Sequence, residues 1–148
     1  VTFASTATNL DSNVDSLNQM QVYIHKRTEP RSTRLVSVSH EESSQGANSM
    51  SFLPAVKNDG SVYFASLSSD LVPSGEDNNQ TFDVYLCRDN GNCEVVSRSA
   101  THSGTANGLS TAPRVAWGEE WLVFSSHSTD LIVGDANDAS DVFMTRTK

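Results

Sequence analysis

The feature of this sequence that most constrains its fold is an internal repeat with a period of about sixty residues. A Phe-(Ala/Ser)-Ser segment occurs three times, beginning at Phe3, Phe64 and Phe124. In the last two copies it leads to an Asp-Val-aromatic segment that begins at Asp83 or Asp141. A fixed period of this length is typical of chains that fold as a row of similar small units. We therefore divide the chain into repeats 1–51, 52–110 and 111–148, of which the last is the shortest.

Each repeat predicts up to four short antiparallel β-strands, because β-branched and aromatic runs alternate with clusters of Gly, Asp, Asn and Ser. Apolar residues are nowhere sustained at helical spacing, so we expect negligible helix. The predicted first strands of the repeats are 53–56 and 112–116, and the second strands are 1–5, 62–66 and 121–126. The predicted third strands are 22–25, 84–87 and 142–145, and the fourth strands are 35–39 and 94–98.

The third strand of the second repeat is apolar at three consecutive positions, Val84, Tyr85 and Leu86. A strand with one solvated face alternates between apolar and polar residues, so a continuous run indicates burial on both faces. This favours small sheets stacked face to face, as in the blades of a β-propeller, over a two-sheet sandwich. The chain would hold about two and a half to three blades of four antiparallel strands, with the first strand missing from the first blade and the fourth from the last.

The incomplete ends of this row have a consequence for assembly. A closed propeller needs at least four blades, and uncovered sheet edges tend to pair with other chains. We therefore expect either a homo-oligomer that completes a ring or completion by blades outside this chain.

The third repeat carries the fullest form of a recognisable pattern. It combines Phe124-Ser-Ser-His-Ser-Thr-Asp-Leu131, Gly134-Asp-Ala-Asn137 and Asp141-Val-Phe143. This pattern resembles the TolB-like, WD-type β-propeller repeats of bacterial proteins. The first repeat departs from it, because Gln21 stands where the family has Asp. The resemblance implies the propeller fold and a bacterial source, and it implies no particular activity, since propellers host many functions.

Charge and hydropathy exclude several classes of partner. The net charge is −8, and the basic residues are scattered except for one cluster, Lys26, Arg27, Arg31 and Arg34. Nucleic acid and anionic membranes require a coherent cationic face, so neither is an expected partner. The longest apolar runs are about four residues, far below the roughly 18–20 that a membrane span requires.

The two cysteines lie in the segment Cys87-Arg-Asp-Asn-Gly-Asn-Cys93. If Asp89, Asn90 and Gly91 form a three-residue hairpin loop, Cys87 and Cys93 face each other as a non-hydrogen-bonded pair, with Cα atoms about 4.5 Å apart. That separation suits a disulfide. A disulfide indicates a periplasmic or secreted protein, whereas two reduced thiols would fit a cytosolic hairpin, and a zinc site would need further ligands.

A group of oxygen-bearing side chains in the third repeat comprises Asp135, Asn137, Asp138 and Asp141. Such hard ligands at close spacing bind Ca²⁺. The alternative, which we favour, is that these residues stabilise turns through hydrogen bonds to the backbone. We therefore expect no cofactor and keep calcium as the other possibility.

Candidates for catalysis are few. The histidines, His25, His40, His102 and His127, have no metal-binding spacing, and their plainer interpretation is exposed polar residues. A hydrolase or lyase with its site at the mouth of a propeller would have to use Arg114 and Lys57. Trp117 and Trp121 offer either a stacking platform for a sugar or peptide, or packing between blades.

The leading hypothesis is a non-enzymatic binding or scaffold module that recognises protein, peptide or glycan through its loops. The acidic loop residues would form a rim that prefers cationic partners. The alternatives are the enzyme and a structural fragment that functions only when assembled. The predicted rim residues are Asp70, Glu76, Asp77, Asp83 and Asp130.

Overall fold

The computed structural model describes residues 1–101, 104–137 and 139–147, and the fold of these residues is all-β. The predicted absence of helix is confirmed for this part of the chain. Its strands are β1 (Thr2–Ser5), β2 (Gln21–Lys26), β3 (Ser32–Leu35), β4 (Ser51–Val56), β5 (Val62–Ser66), β6 (Asp83–Cys87), β7 (Cys93–Val95), β8 (Ser110–Val115), β9 (Trp121–Ser126) and β10 (Asp141–Arg146).

The strands form three antiparallel sheets, one for each repeat, in which consecutive strands are neighbours. The first sheet has the order β1-β2-β3, the middle sheet β4-β5-β6-β7 and the third sheet β8-β9-β10. The middle sheet thus contains all four predicted strand types. The first sheet contains the second, third and fourth types, and the third sheet contains the first three.

The repeat in the sequence is a repeat in the structure, because equivalent residues occupy equivalent positions. In every sheet the Phe of the Phe-x-Ser segment pairs across the strands with an aromatic residue and stacks on it, with ring centroids 5.7 to 6.2 Å apart. The pairs are Phe3 with Tyr23, Phe64 with Tyr85, and Phe124 with Phe143.

Two apolar cores lie on opposite faces of the middle sheet, and both of its central strands, β5 and β6, are buried throughout. Tyr85 belongs to the core shared with the first sheet, together with Val22. Val84 and Leu86 belong to the core shared with the third sheet, together with Phe124. The predicted burial of both faces is therefore confirmed for this sheet.

The fourth strands begin earlier than predicted, since β3 is Ser32–Leu35 and β7 is Cys93–Val95. The predicted ranges, 35–39 and 94–98, were wrong because a serine hydroxyl replaces a backbone partner at the end of each strand. The Oγ of Ser37 accepts the backbone N–H of Val22 at 3.0 Å, and that of Ser97 accepts the N–H of Val84 at 3.0 Å. Regular pairing stops there, although the apolar alternation continues.

The hairpin between β6 and β7 has the predicted geometry. Arg88 and Asn92 flank the loop, with the N–H of Arg88 bonded to the carbonyl of Asn92 at 2.9 Å, and Gly91 has a φ of +87°. Cys87 and Cys93 are the next pair, their Cα atoms are 4.1 Å apart, and they form a disulfide. The predicted pairing is confirmed.

The antiparallel order places all the long connections at one end of the molecule and all the short turns at the other. We call these the loop end and the turn end. The loop end comprises segments 6–20, 36–50, 67–82, 96–109 and 127–140, and the turn end comprises segments 27–31, 57–61, 88–92 and 116–120.

Candidate functional site

The two ends of the molecule differ in charge. Among the described residues of the loop-end segments, Arg98 is the one Lys or Arg side chain. The carboxylates in these segments are Asp11, Asp15, Glu41, Glu42, Asp70, Glu76, Asp77, Asp130 and Asp135. The turn end and the strand residues near it carry the cations Lys26, Arg27, Arg31, Arg34, Lys57, Arg88, Arg114 and Arg146. The same region holds fewer carboxylates than cations, namely Glu29, Asp59, Asp89, Glu94, Glu119 and Glu120.

Two of the predicted rim carboxylates connect successive parts of the chain in the same way. The Oδ1 of Asp70 accepts the backbone N–H of Asn48 at 2.9 Å, and the Oδ1 of Asp130 accepts that of Asn107 at 2.9 Å. The backbone carbonyl of Asp70 accepts a further N–H from the preceding loop, at His40. These carboxylates therefore hold loops of neighbouring repeats together.

Asp83 lies at the start of β6 and is fully buried. Its carboxylate accepts the hydroxyl of Ser97 at 2.6 Å and the side-chain amide of Asn79 at 2.8 Å. Asn79 also donates to the carbonyl of Ala106 at 2.6 Å. Burial raises the pKa of Asp83 to about 7, although both hydrogen bonds oppose the shift.

Asp77 is also buried, and its carboxylate accepts the hydroxyl of Tyr85. Burial raises its pKa above the ordinary value, with the hydrogen bond from Tyr85 acting against that shift. Asp77 and Asp83 are thus internal residues, and they lie beneath the surface that a partner could contact. Glu76, a further predicted rim residue, forms an ion pair with Arg98 at 2.7 Å.

In the first sheet a single residue, Gln21, makes the hydrogen bonds that Asp83 and Asn79 make in the middle sheet. Gln21 stands at the position of Asp83, opposite the last serine of the preceding strand. Its Oε1 accepts the hydroxyl of Ser37 at 2.5 Å, and its Nε2 donates to the carbonyl of Ala47 at 2.8 Å. One neutral amide therefore makes the bonds for which the middle sheet uses an Asn and an Asp.

The equivalent position of the third sheet is Asp141, where the calcium possibility was raised. Asn137 donates to the Asp141 carboxylate at 3.0 Å, and the Asn137 N–H lies 3.5 Å from Asp135. Asp138 lies outside the described residues. The described residues include no group of three or more His, Cys, Asp or Glu placed to hold a metal ion. The contacts present are those of a hydrogen-bonded turn, the interpretation favoured above, and calcium stays the alternative possibility.

The residues considered for catalysis make local contacts. His25 shares a hydrogen bond with Thr33 at 2.9 Å, Lys57 pairs with Asp59 at 3.2 Å, and Arg114 donates to the carbonyl of Pro113 at 2.8 Å. His102 lies outside the described residues.

The sequence interpretation missed the exposed carboxylates of the loop end, Asp15, Glu41 and Glu42. A usable signal was the acidic pair Glu41-Glu42 in the loop between the first and second repeats. At the turn end Trp117 is fully exposed, whereas Trp121 is half-buried beneath the guanidinium of Arg146, 5.0 Å from the ring centroid.

Comparison with known proteins returned no matching family model, no matching curated protein and no matching solved structure. The described residues also include no helix with the length and apolarity needed to cross a bilayer.

Proposed function

We propose that this chain is a non-enzymatic binding or scaffold module of a β-propeller type, and that it recognises a cationic protein or peptide at its loop end. The separation of charge between the two ends carries this proposal. Carboxylates crowd the loop end beside a single described Arg, while the Lys and Arg side chains gather toward the turn end.

The internal bonds of the loop carboxylates do not cancel the field that they create. Asp70 and Asp130 accept backbone N–H groups, which are neutral dipoles, so their net negative charges persist beside the exposed charges of Asp15 and Glu41. A concentration of one sign on one surface raises the local concentration of ions of the opposite sign and speeds their association. The attraction should weaken as salt is added.

The stacking of three equivalent sheets supports the propeller architecture, because each sheet leans on a neighbour of the same kind. The disulfide between Cys87 and Cys93 supports a periplasmic or secreted location, since such bonds persist in oxidising compartments. A bacterial source rests on the resemblance of the repeat motif.

The test is a calorimetric titration of the chain with a synthetic lysine hexapeptide at low salt. We expect binding that weakens steeply as ionic strength rises, and none with a glutamate hexapeptide. The double variant Asp15→Asn with Glu41→Gln should weaken binding about threefold to tenfold, because it removes two exposed charges from the loop end.

The matched control is the double variant Asp89→Asn with Glu120→Gln, which removes two exposed charges from the turn end. It changes the net charge by the same amount and should leave affinity for the lysine hexapeptide close to that of the wild type. Equal losses in the two double variants, or equal binding of both hexapeptides, would refute recognition by the loop end.

A second candidate function, glycan or peptide recognition at the turn end, is favoured by the full exposure of Trp117. An exposed indole offers a flat apolar surface on which a sugar ring or a peptide side chain stacks. Titration with a panel of oligosaccharides, followed by intrinsic fluorescence, would test it. Trp117→Ala should abolish any response, whereas Trp121→Phe would retain it.

A further inference from the structure

The outer face of the third sheet is apolar and exposed. On β10 the side chains of Val142 and Met144 are 73% and 63% exposed. The equivalent residues of the middle sheet, Val84 and Leu86, are fully buried against the third sheet. The third sheet therefore exposes the face that, in the middle sheet, is buried against a neighbouring sheet. We call it the Val142 face.

The structure shows twice what covers a face of this kind. Val84 and Leu86 of the middle sheet share a core with Phe124, and Phe143 packs against that core. Val22 of the first sheet shares a core with Phe64 and Tyr85 in the same manner. In both cases the cover is the stacked aromatic pair of the next sheet along the chain.

The outer face of the first sheet carries the third such pair. Phe3 stacks on Tyr23 with ring centroids 5.7 Å apart. Side chains alternate along a strand, and Val22 and Ile24 point into the core shared with the middle sheet, so Tyr23 points the opposite way. Tyr23 is already buried, with 1% exposure, and its hydroxyl donates to the carbonyl of Ala7. The half-buried Phe3 is therefore the member of the pair that this face exposes. We call this surface the Phe3 face.

We propose that the Val142 face of one copy of this chain docks on the Phe3 face of a second copy, by the contact that already joins the sheets within each copy. The surface is distinct from the loop end, so this inference stands apart from the proposed function. The contact joins unlike faces, and such contacts propagate until a ring closes. Two copies would close a ring of six sheets, within the usual range of four to eight, and leave neither face uncovered.

Sedimentation equilibrium on the full chain tests the proposal. We expect a dimer with twice the 16.0 kDa mass of the monomer. Met144→Glu would place a charge in the middle of the contact and should raise the dissociation constant about 100-fold, because a buried charge without a partner is strongly unfavourable. The matched control is Met50→Glu, at a methionine that is 41% exposed and lies on neither face. Circular dichroism would verify that both variants are folded.

A mixing experiment identifies the faces involved. Phe3→Ser should also give monomers, and its folding would be verified in the same way. Each variant keeps the face that the other has lost, so an equimolar mixture of Met144→Glu and Phe3→Ser should recover a complex of two chains through one intact contact. A monomeric wild type, equal effects of Met50→Glu and Met144→Glu, or a mixture that stays monomeric would each overturn the proposal.

Discussion

The middle and third sheets share a sequence pattern and differ in their surroundings. Along β6 the residues Val84, Tyr85 and Leu86 are all fully buried, since one core lies on each face of the sheet. Along β10 only the aromatic residue of the equivalent triplet packs into a core, and its neighbours Val142 and Met144 are exposed. The comparison teaches that a run of consecutive apolar residues allows a strand to be buried on both faces. Whether both faces are in fact buried depends on the presence of a neighbouring sheet on each side.

The same difference separates the two aspartates that open these strands. Asp83 and Asp141 pair with equivalent serines, Ser66 and Ser126. Asp83 is enclosed by the loop that follows β7, which supplies the hydroxyl of Ser97 and the carbonyl of Ala106. Asn79 links Asp83 to that carbonyl by donating a hydrogen bond to each. Of these bonds, Asp141 makes only the one from an asparagine, Asn137, in the part of the chain that the structure describes. Asp141 is also only half-buried. The neighbouring strand and loop therefore decide how far an otherwise equivalent carboxylate is buried.

The largest effect should come from Leu86→Ala set against Met144→Ala. Removing the buried side chain leaves a cavity and should lower the free energy of unfolding by about 2–5 kcal/mol. Removing the exposed one should change it by less than about 0.5 kcal/mol. Urea denaturation at protein concentrations that keep the chain monomeric would measure both values. Similar losses at the two positions would break the comparison.

Reduction of the disulfide should have the next largest effect. The bond closes a loop with a sequence separation of 6, and a loop of this length corresponds to about 2 kcal/mol in the chain-entropy description. The equivalent turn of the first sheet, between β2 and β3, has no cysteine. Urea denaturation with and without reductant would measure the loss. The double variant Cys87→Ser with Cys93→Ser should then be insensitive to reductant.

The pH dependence of stability should report the burial of Asp83. The pKa of Asp83 is raised by burial from 3.8 to about 7, so between these values the folded state holds a proton that the unfolded state releases. The free energy of unfolding should therefore fall as pH rises through this window, by up to about 1.4 kcal/mol per pH unit. The raised pKa of Asp77 acts in the same direction.

Asp83→Asn should flatten that slope, and Gln21 shows that a neutral amide serves at this position. Urea titrations at a series of pH values would measure the slopes. A slope that Asp83→Asn does not alter would assign the dependence to another group.

The smallest effect should come from the exposed contacts between sheets. Arg34 of the first sheet forms an ion pair of 2.6 Å with Asp89 in a turn of the middle sheet. Arg34→Gln should lower the free energy of unfolding by no more than about 1 kcal/mol, and added salt should remove most of the difference. Thermal melts at low and high salt would measure both. A larger loss would mean that this turn, rather than the apolar core, joins the two sheets.

Much of the fold could be predicted because its signals are local. The strand predictions at 62–66 and 121–126 agree with β5 and β9, and the spacing of Cys87 and Cys93 identified the hairpin and its disulfide. The fourth strands were misplaced because Ser37 and Ser97 reach across to a neighbouring strand, a contact that leaves no periodic signal.

The candidate site was less predictable. Asp70 and Asp130 form the bonds between loops, and the exposed charges belong to Asp15, Glu41 and Glu42. The sequence around an acidic loop residue does not show whether its carboxylate accepts a backbone N–H or faces water. The residue that donates the N–H lies some twenty residues away along the chain.

The sequence by itself determined the period of the repeat, the strands that short-range patterns mark and the cysteine hairpin, since each depends on residues close together in the chain. Only the tertiary structure decided which faces of equivalent sheets are covered, which carboxylates are buried and that the acidic loops gather at one end. Those properties depend on neighbours that are distant along the chain, and burial, which sets both packing energy and pKa, exists only once those neighbours are in place.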